Sequence, residues 1–411
     1  MAQLNLTLNQ EEILALLADN PDEAFRKMFQ DCVNSVLRAE SAKQLGAGRY
    51  ERTDGRVDSR NGFRERQLNT RIGRLTLRVP RHRTQPFKTM VFDNYSRSEA
   101  ALVTAMAEMV VNGVSTRKVT NVMETLCGTP VSKSAVSEVC KTLDEDVKRF
   151  RARPLTKEYP FLMVDATYFK VREEHRICGK SLMIAVGTGI DGKREILGFD
   201  VYPGETKETW NTFLTSLKER GLHGLRMVTS DAHEGIINAI SCVFPDVPWQ
   251  RCQTHFSRNI LDHAPKKYQP AIHAALVDMY NSDTIEEARR KRDAIINEYR
   301  DVAEKAIQCL ENGFESTMIV MKLPKSMRRY FRTSNHLERL NKELKRRSNV
   351  IGVFPSDASL LRLMGSVLIE QDEKYAAHSA VRFSKDDAAA LTLTAESLKE
   401  AAKEQHRLMA A

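Results

Sequence analysis

The feature that most constrains this chain is a change of hydrophobic period at Pro160. Upstream, apolar residues recur at three and four; beyond it they fall in β-type runs over Phe161 to Val171, Ser181 to Gly187 and Glu195 to Tyr202. The turns between these runs, at Gly179 and at Asp191-Gly192, are too short for a crossover helix, so the three strands are expected to be antiparallel. The spacing then predicts a helix over Lys207 to Arg220, a strand over Gly224 to Thr229, a helix over Glu234 to Val243 and a strand over Val247 to Gln253. Three antiparallel strands followed by α, β, α, β is the element order of an RNase H-like sheet, an analogy of order that does not by itself assign function.

A helical block from about Phe256 to Arg329, with a capping box at Thr284-x-x-Glu287, interrupts this sheet, because another motif-bearing helix follows Thr333. Before the sheet, Ile13, Leu16 and Leu17, then Phe25, Met28, Phe29, Cys32, Val33, Val36 and Leu37, mark two helices separated at Asn20 to Asp22. Their stripe either packs onto its own domain or dimerises. From Arg49 to Lys88, twelve Lys or Arg stand against four acids, nearly the whole formal net charge of +9. Asn61-Gly62 reads as a turn signal, and Arg64 to Leu68 with Arg71 to Val79 alternates basic and apolar positions around Ile72-Gly73, as a basic hairpin does. Arg64, Arg66, Arg71, Arg74, Arg78 and Arg81 would track phosphates, the alternative being a merely solvated basic face.

Ser96-x-x-Glu99 is a capping box opening a helix over Ala100 to Val111, which Gly113 ends. A second helix covers Thr116 to Leu126, and a third runs from Ser132 or Ser134 to about Phe150. This pattern suggests a helix-turn-helix offering Lys133, Ser134, Ser137 and Lys141 to a major groove, although many three-helix units touch no DNA.

The expected fold class is therefore multidomain α/β: an RNase H-like mixed-sheet catalytic domain interrupted by an all-α insertion, and preceded by helical and basic DNA-binding domains. The segments are 1–48, helical, for dimerisation or DNA binding; 49–95, the basic hairpin; 96–152, the helix-turn-helix; 153–255, the first part of the catalytic domain; 256–332, the insertion; 333–365, the last part of the catalytic domain; and 366–411, a helical tail with a polar, mobile end. Acids at Glu11, Glu12 and Asp19 and the lack of a long apolar run argue against a signal peptide or a membrane span. Seven scattered cysteines without a Cys-x-x-Cys pair suit reduced thiols in a cytosol.

Asp165 sits inside the apolar run Phe161-Leu-Met-Val-Asp-Ala-Thr-Tyr-Phe, on one strand face with Met163 and Thr167. A carboxylate there survives only if paired, hydrogen-bonded or bound to metal. Asp231 follows a strand and precedes a helix; Asp231-x-x-Glu234 equally fits a helix cap. Glu338 is open to the same reading through Asn335, yet on the helical projection it shares an edge with Lys342 and Lys345 beside the packed stripe of Leu337, Leu340 and Leu344, and Arg346 and Arg347 extend the charge. Three carboxylates are what two-metal phosphoryl transfer needs, with hard Mg²⁺ or Mn²⁺ ions on oxygen ligands. Glu343 is a lesser candidate for the third acid. Cys252-Gln-Thr-His255 supplies only two of the four ligands of a structural zinc site, so no zinc is expected.

These residues resemble the Mutator-type transposases of bacterial insertion sequences. The likeness rests on Val164-Asp165-Ala166-Thr167-Tyr168, Ser230-Asp231-Ala232-His233-Glu234-Gly235, Arg251-Cys252-Gln253-Thr254-His255 with Arg258-Asn259, and the run from Ser334 to Arg347 that leads into Val350-Ile351-Gly352-Val353-Phe354-Pro355. It implies a DDE transposase with Asp165, Asp231 and Glu338 as catalytic and metal-binding triad, two Mg²⁺ or Mn²⁺ ions per site, Lys345 on phosphate, and Cys252 and His255 as a structural or DNA-positioning signature. The expected partners are double-stranded DNA, as terminal inverted repeats and target, and a second copy of the chain in a homodimer; the expected location is the cytoplasm, on the nucleoid. The competing readings are a nuclease or resolvase of the same fold, which would not join strands, and a non-catalytic DNA-binding regulator.

Overall fold

A computed structural model describes residues 14, 21–51, 53–70, 72–91, 100–127, 131–377 and 383–410. Arg71, the Ser96 capping box and the helix expected around Ile13 to Leu17 lie outside, or almost entirely outside, the described residues. The chain divides into two compact units, Met1–Thr142 and Leu143–Ala411.

In the first unit, helix α1 (Pro21–Leu45) lies on an antiparallel hairpin of β1 (Arg60–Thr70) and β2 (Gly73–His82). The alternation of β2 turns Leu75, Leu77 and Val79 inward, where they meet Val33 and Leu37 of α1 and Leu68 of β1. The apolar stripe of α1 is therefore used, in its C-terminal half, by its own hairpin, whereas Phe25 and Phe29 remain exposed. Asn61-Gly62 is not the turn: it lies inside β1, where the register shifts between Arg60 and Phe63 and Gly62 takes φ +73°. The strands instead close on the pair Thr70 and Gly73, the latter at φ +105°, a conformation only glycine adopts without strain. Arg64 and Arg66 share the face of Val79 and Leu77, while Arg74 and Arg78 occupy the other; Arg66 is half-buried and the other three are exposed. Arg81 is also exposed.

Three further helices, α2 (Ala100–Val111), α3 (Thr116–Cys127) and α4 (Lys133–Cys140), close on Leu102, Met106, Val119, Met123, Val136 and Cys140. The third helix does not run on to Phe150 as expected. It stops at Lys141 and Thr142, and a separate helix α5 (Leu143–Ala152) belongs to the second unit. Lys133, Ser134, Ser137 and Lys141 are all exposed, although Lys141 bonds Glu138 at 2.7 Å. Because α4 has only eight residues, its cap carries much of its stability: Ser132 Oγ accepts from Ala135 N at 3.1 Å. Ser132→Ala should cost about 1 kcal/mol and speed amide exchange across Lys133–Cys140 roughly fivefold; unchanged exchange would show that the cap is idle.

The second unit is built on a five-stranded sheet of β3 (Phe161–Glu173), β4 (Arg176–Thr188), β5 (Arg194–Tyr202), β6 (Met227–Ser230) and β7 (Trp249–Arg251). Its order is β5-β4-β3-β6-β7, antiparallel over the first three strands and parallel from β3 to β6 and β7. Helices α6 (Lys207–Glu219) and α7 (Glu234–Val243) cover one face with Trp210, Phe213, Leu214, Ile236 and Ile240 over Leu162, Val164, Met183 and Ala185. The helical block comprises α8 (Gln253–His263), α9 (Gln269–Tyr280), α10 (Ile285–Tyr299), α11 (Glu304–Thr317), a 3₁₀ turn (Ile319–Lys322) and α12 (Lys325–Phe331), with its own core around Phe256, Ile260, Leu276, Leu310 and Phe314. The chain then returns to the sheet: Phe331 stacks on Phe161 at 3.6 Å, and α13 (Asn335–Ser348) and α14 (Asp357–Ala377) follow.

After α15 (Lys385–Leu393), the last helix, α16 (Ala395–Ala410), is folded onto this unit rather than being a loose polar end. Leu398, Ala401 and Ala402 are buried, and the Gln405 amide pairs both backbone groups of Trp249, accepting from its N at 2.9 Å and donating to its O at 2.7 Å. That contact satisfies part of the open edge of β7.

Candidate active site

The sheet itself brings two of the expected carboxylates together. Parallel pairing between β3 and β6 ends at Met163 opposite Thr229, so the next same-face positions are Asp165 on β3 and Asp231 just beyond β6. Parallel neighbours stand about 4.8 Å apart. Burial first, and the Asp231 charge second, push the Asp165 carboxyl up to about 7. The Ala166 N–H and His255 draw it back, and Glu205 adds to the rise. Asp165 Oδ1 accepts from Ala166 N at 2.8 Å and Oδ2 from Asn341 Nδ2 at 2.9 Å.

Asp231 is not a helix cap. His233 occupies that position in α7, its ring Nδ1 accepting from Gly235 N at 3.2 Å, and Asp231 Oδ1 lies 3.4 Å from His233 N. The structural role that competed for this residue is thus taken by its neighbour. A similar substitution occurs at α13, where Asn335 is the first helical residue and its Oδ1 accepts from Thr254 Oγ1 at 3.0 Å instead of capping.

Glu338 stands one turn from Asn341 on α13, so the Asn341 bond to Asp165 ties the helix of the third acid to the strand of the first. The Glu338 carboxylate is turned toward cations: Oε1 lies 3.1 Å from His255 Nε2 and 3.7 Å from Arg258. Oε1 is buried and accepts no aligned hydrogen bond, so this is a charge contact. His255 is pushed up to about 8, chiefly by the adjacent Cys252 sulfur, with Asp165 and Glu338 contributing and burial opposing. Burial pushes the Cys252 thiol up, and the neighbouring His255 ring together with the Ser334 hydrogen bonds overrides it, leaving the thiol below its ordinary value. Cys252 Sγ accepts from Ser334 N and Oγ, both at 3.3 Å, and so joins the start of α8 to the start of α13.

The cations expected along α13 divide. Lys342 is exposed. Lys345 Nζ bonds the Tyr168 carbonyl and sits 4.2 Å from the Phe169 ring centre. Arg346 is exposed but bonds Glu343 through two contacts of 2.7 Å. Arg347 is 5% exposed, bonds Glu343 at 2.7 Å and approaches Glu370 at 3.4 Å, so it holds α13 in place and is not presented to DNA, contrary to expectation. Together these arginines hold Glu343 down at about 2 and occupy its carboxylate oxygens.

Sequence reasoning missed Asn341, Arg258 and Glu205. Asn341 was readable from its i, i+3 spacing to Glu338. Glu205 precedes the Thr206 cap of α6 and carried no motif; burial raises its carboxyl, His233 lowers it and Asp231 raises it further. Among the described residues, no three His, Cys, Asp or Glu side chains converge closely enough to hold a metal ion in this arrangement.

Residues 1–378 match the family described as Transposase, Mutator family. The chain is 41% identical over 391 residues to the transposase for insertion sequence element IS256 in transposon Tn4001 of Staphylococcus aureus, covering 94% of this chain and 100% of that one. It is 39% identical over 360 residues to the transposase for ISRM5 of Rhizobium meliloti, 88% of this chain and 90% of that one. The transposase for IS1081 of Mycobacterium tuberculosis is 36% identical over 371 residues, 90% of this chain and 89% of that one.

Proposed function

This chain belongs to the Mutator family of transposases, and from that membership we propose that it binds the terminal inverted repeats of an insertion sequence, cleaves at the element end and joins the freed 3′-hydroxyl to target DNA. The sheet of the second unit is read as RNase H-like and the catalysis as DDE-type, with Asp165, Asp231 and Glu338 as the acids. One observation carries this reading: the register of β3 and β6 sets Asp165 beside Asp231, and Asn341 fastens the Glu338 helix to the same carboxyl.

The donor set suits a hard divalent cation, since it is all carboxylate oxygen and one member, Glu338 Oε1, is buried without a hydrogen bond. Two Mg²⁺ or Mn²⁺ ions, when bound, would supply the charge that activates the incoming water or 3′-hydroxyl and stabilises the leaving oxygen. The chain's own contribution is orientation. Ala166 N–H and Asn341 fix the Asp165 carboxyl, and His255 and Arg258 hold Glu338 in reserve against its neighbour acids. Cys252 and Ser334 lock the helices that carry His255 and Glu338 together. Lys345, anchored on Tyr168, would meet a phosphate beside the site. The arginines of the hairpin and the exposed residues of α4 would supply contacts to the repeats. Two ends must be handled together, which favours a homodimer. No helix among the described residues is long and apolar enough to cross a membrane, in keeping with action on DNA in the cytoplasm.

The test is to incubate the chain with a duplex carrying an element end and a supercoiled target plasmid. Metal-dependent cleavage followed by joined product is the expected result. Cleavage without joining would replace this reading with a nuclease or resolvase, and binding without either step would replace it with a regulator.

A further inference from the structure

The β3–β4 hairpin continues past the end of β6. Between Met163, the last β3 residue paired to β6, and Val171, which pairs with Phe354, one edge of β3 has no strand beside it. Asp165 faces one side of this notch. Tyr168, Lys170 and Arg172 face the other, on the side that α6 and α7 cover farther down the sheet.

Beyond those helices no element among the described residues covers this outer face. Tyr168 is 48% exposed and Ile177, opposite Arg172, 58% exposed. Lys170 and Arg172 are exposed, and neither side chain forms a hydrogen bond or ion pair among the described residues. Opposite Lys170 stands Gly179, where an added Cβ would lie 3.8 Å from the Tyr168 ring, so the ring lies across a flat, side-chain-free patch. The acids of the hairpin do not neutralise this face. Glu173 points the other way and bonds Lys180 at 2.9 Å, and Glu174 sits at the turn. Tyr168 also connects the face to the site through its carbonyl, which accepts from Lys345.

Resting on the transposase reading above, we propose that this face, Tyr168, Lys170, Arg172 and Ile177, is the docking surface for the DNA duplex being cut. The two cations would meet backbone phosphates, and the Tyr168 ring and Ile177 would lie against sugars. Strand rise sets the offset along the strand: Arg172 is seven residues from Asp165, about 23 Å at 3.3 Å per residue or about seven base pairs, and because the two side chains face opposite sides of β3 the duplex would pass from this face to the carboxylate around the open strand edge.

Binding of full-length protein to a random-sequence duplex, measured without divalent metal across a salt series, tests the surface separately from cleavage. Lys170→Ala with Arg172→Ala should reduce the slope of log affinity against log salt by about 1.8, equivalent to about a tenfold smaller fall between about 50 and 200 mM. Ile177→Lys should move the slope the opposite way, by about 0.9. Its gain cannot come from misfolding. On a duplex carrying the element end, neutral methylphosphonate linkages about five to seven base pairs from the cut should weaken the wild type and leave the double variant unaffected. Unchanged slopes in both variants, or a wild type indifferent to the neutral linkages, would overturn the surface. A wild type that never cleaves would instead refute the proposed function and leave the slopes to stand.

Discussion

Asp165→Asn should lower metal-dependent cleavage and joining by on the order of 10³-fold or more while raising the thermal stability of the metal-free protein. The two effects have one cause. The carboxyl is buried beside Asp231, with Glu205 adding like charge and His255 partly offsetting it, and its folded pKa of about 7 stands above its ordinary 3.8. A carboxyl raised on folding contributes stability that is complete below its unfolded pKa and lost as pH rises through its folded one. The wild type should therefore fall behind the asparagine variant between about pH 4 and 7, with the gap levelling near pH 8 at on the order of 4 kcal/mol. Asparagine keeps one acceptor oxygen for the Ala166 N–H, and its amide nitrogen can meet Asn341 only if that amide turns its own oxygen inward, so the comparison reads the charge together with one rearranged bond. Melting curves over that pH range, paired with cleavage assays, check both halves. Undiminished cleavage would remove Asp165 from the chemistry, and a lower melting temperature at pH 8 would show that its charge is welcome where it sits.

Gly313→Ala should destabilise the second unit by about 2 kcal/mol, although the same exchange inside an exposed helix stabilises by about 1 kcal/mol. Gly313 lies in α11, where an added Cβ would fall 2.3 Å from the Phe256 ring and 2.6 Å from the Arg251 guanidinium. Arg251 ends β7 and lies over the Phe256 ring at 4.4 Å, so three elements meet at the missing side chain: a sheet strand, the first insertion helix and the fourth. Restoring contact distance means moving a buried aromatic ring and a half-buried arginine together, the kind of overpacking that costs about 1–3 kcal/mol. Thermal unfolding should shift down by roughly 4–8 °C. A rise would mean that the insertion is free to slide on the sheet.

Much of this architecture was legible because it depends on local spacing. Period two announced β3, β4 and β5, although the first hairpin turns at Glu174-His175 and not at Gly179, which lies inside β4 opposite Lys170; an apolar strand interrupted by Asp165 marked a carboxylate with a purpose. Local spacing was also where the reading went astray. Asn61-Gly62 has the composition of a turn but serves as an irregularity inside β1, because Gly62 can take a positive φ in either setting. Asp231 and Asn335 had the sequence of helix caps, yet His233 caps α7, and Asn335 bonds Thr254 across the junction. A capping motif states what a side chain can do next to a helix; competing partners distant in sequence decide what it does.

The sequence by itself determined the alternation of elements, the apolar face of each strand and the membership of the chain in its family, since these depend on residue order and side-chain period alone. Only the tertiary structure decided which charges meet. It gave Glu338 to His255 and Arg258, Glu343 to Arg346 and Arg347, and Asp165 to Asn341. Likewise, burial of Arg347 and docking of Gln405 on the β7 edge follow from helices packed back over the sheet. The physical reason is that a period assigns a side chain to a face at short range, whereas an ion pair or a shared hydrogen bond depends on which distant segment arrives to cover that face.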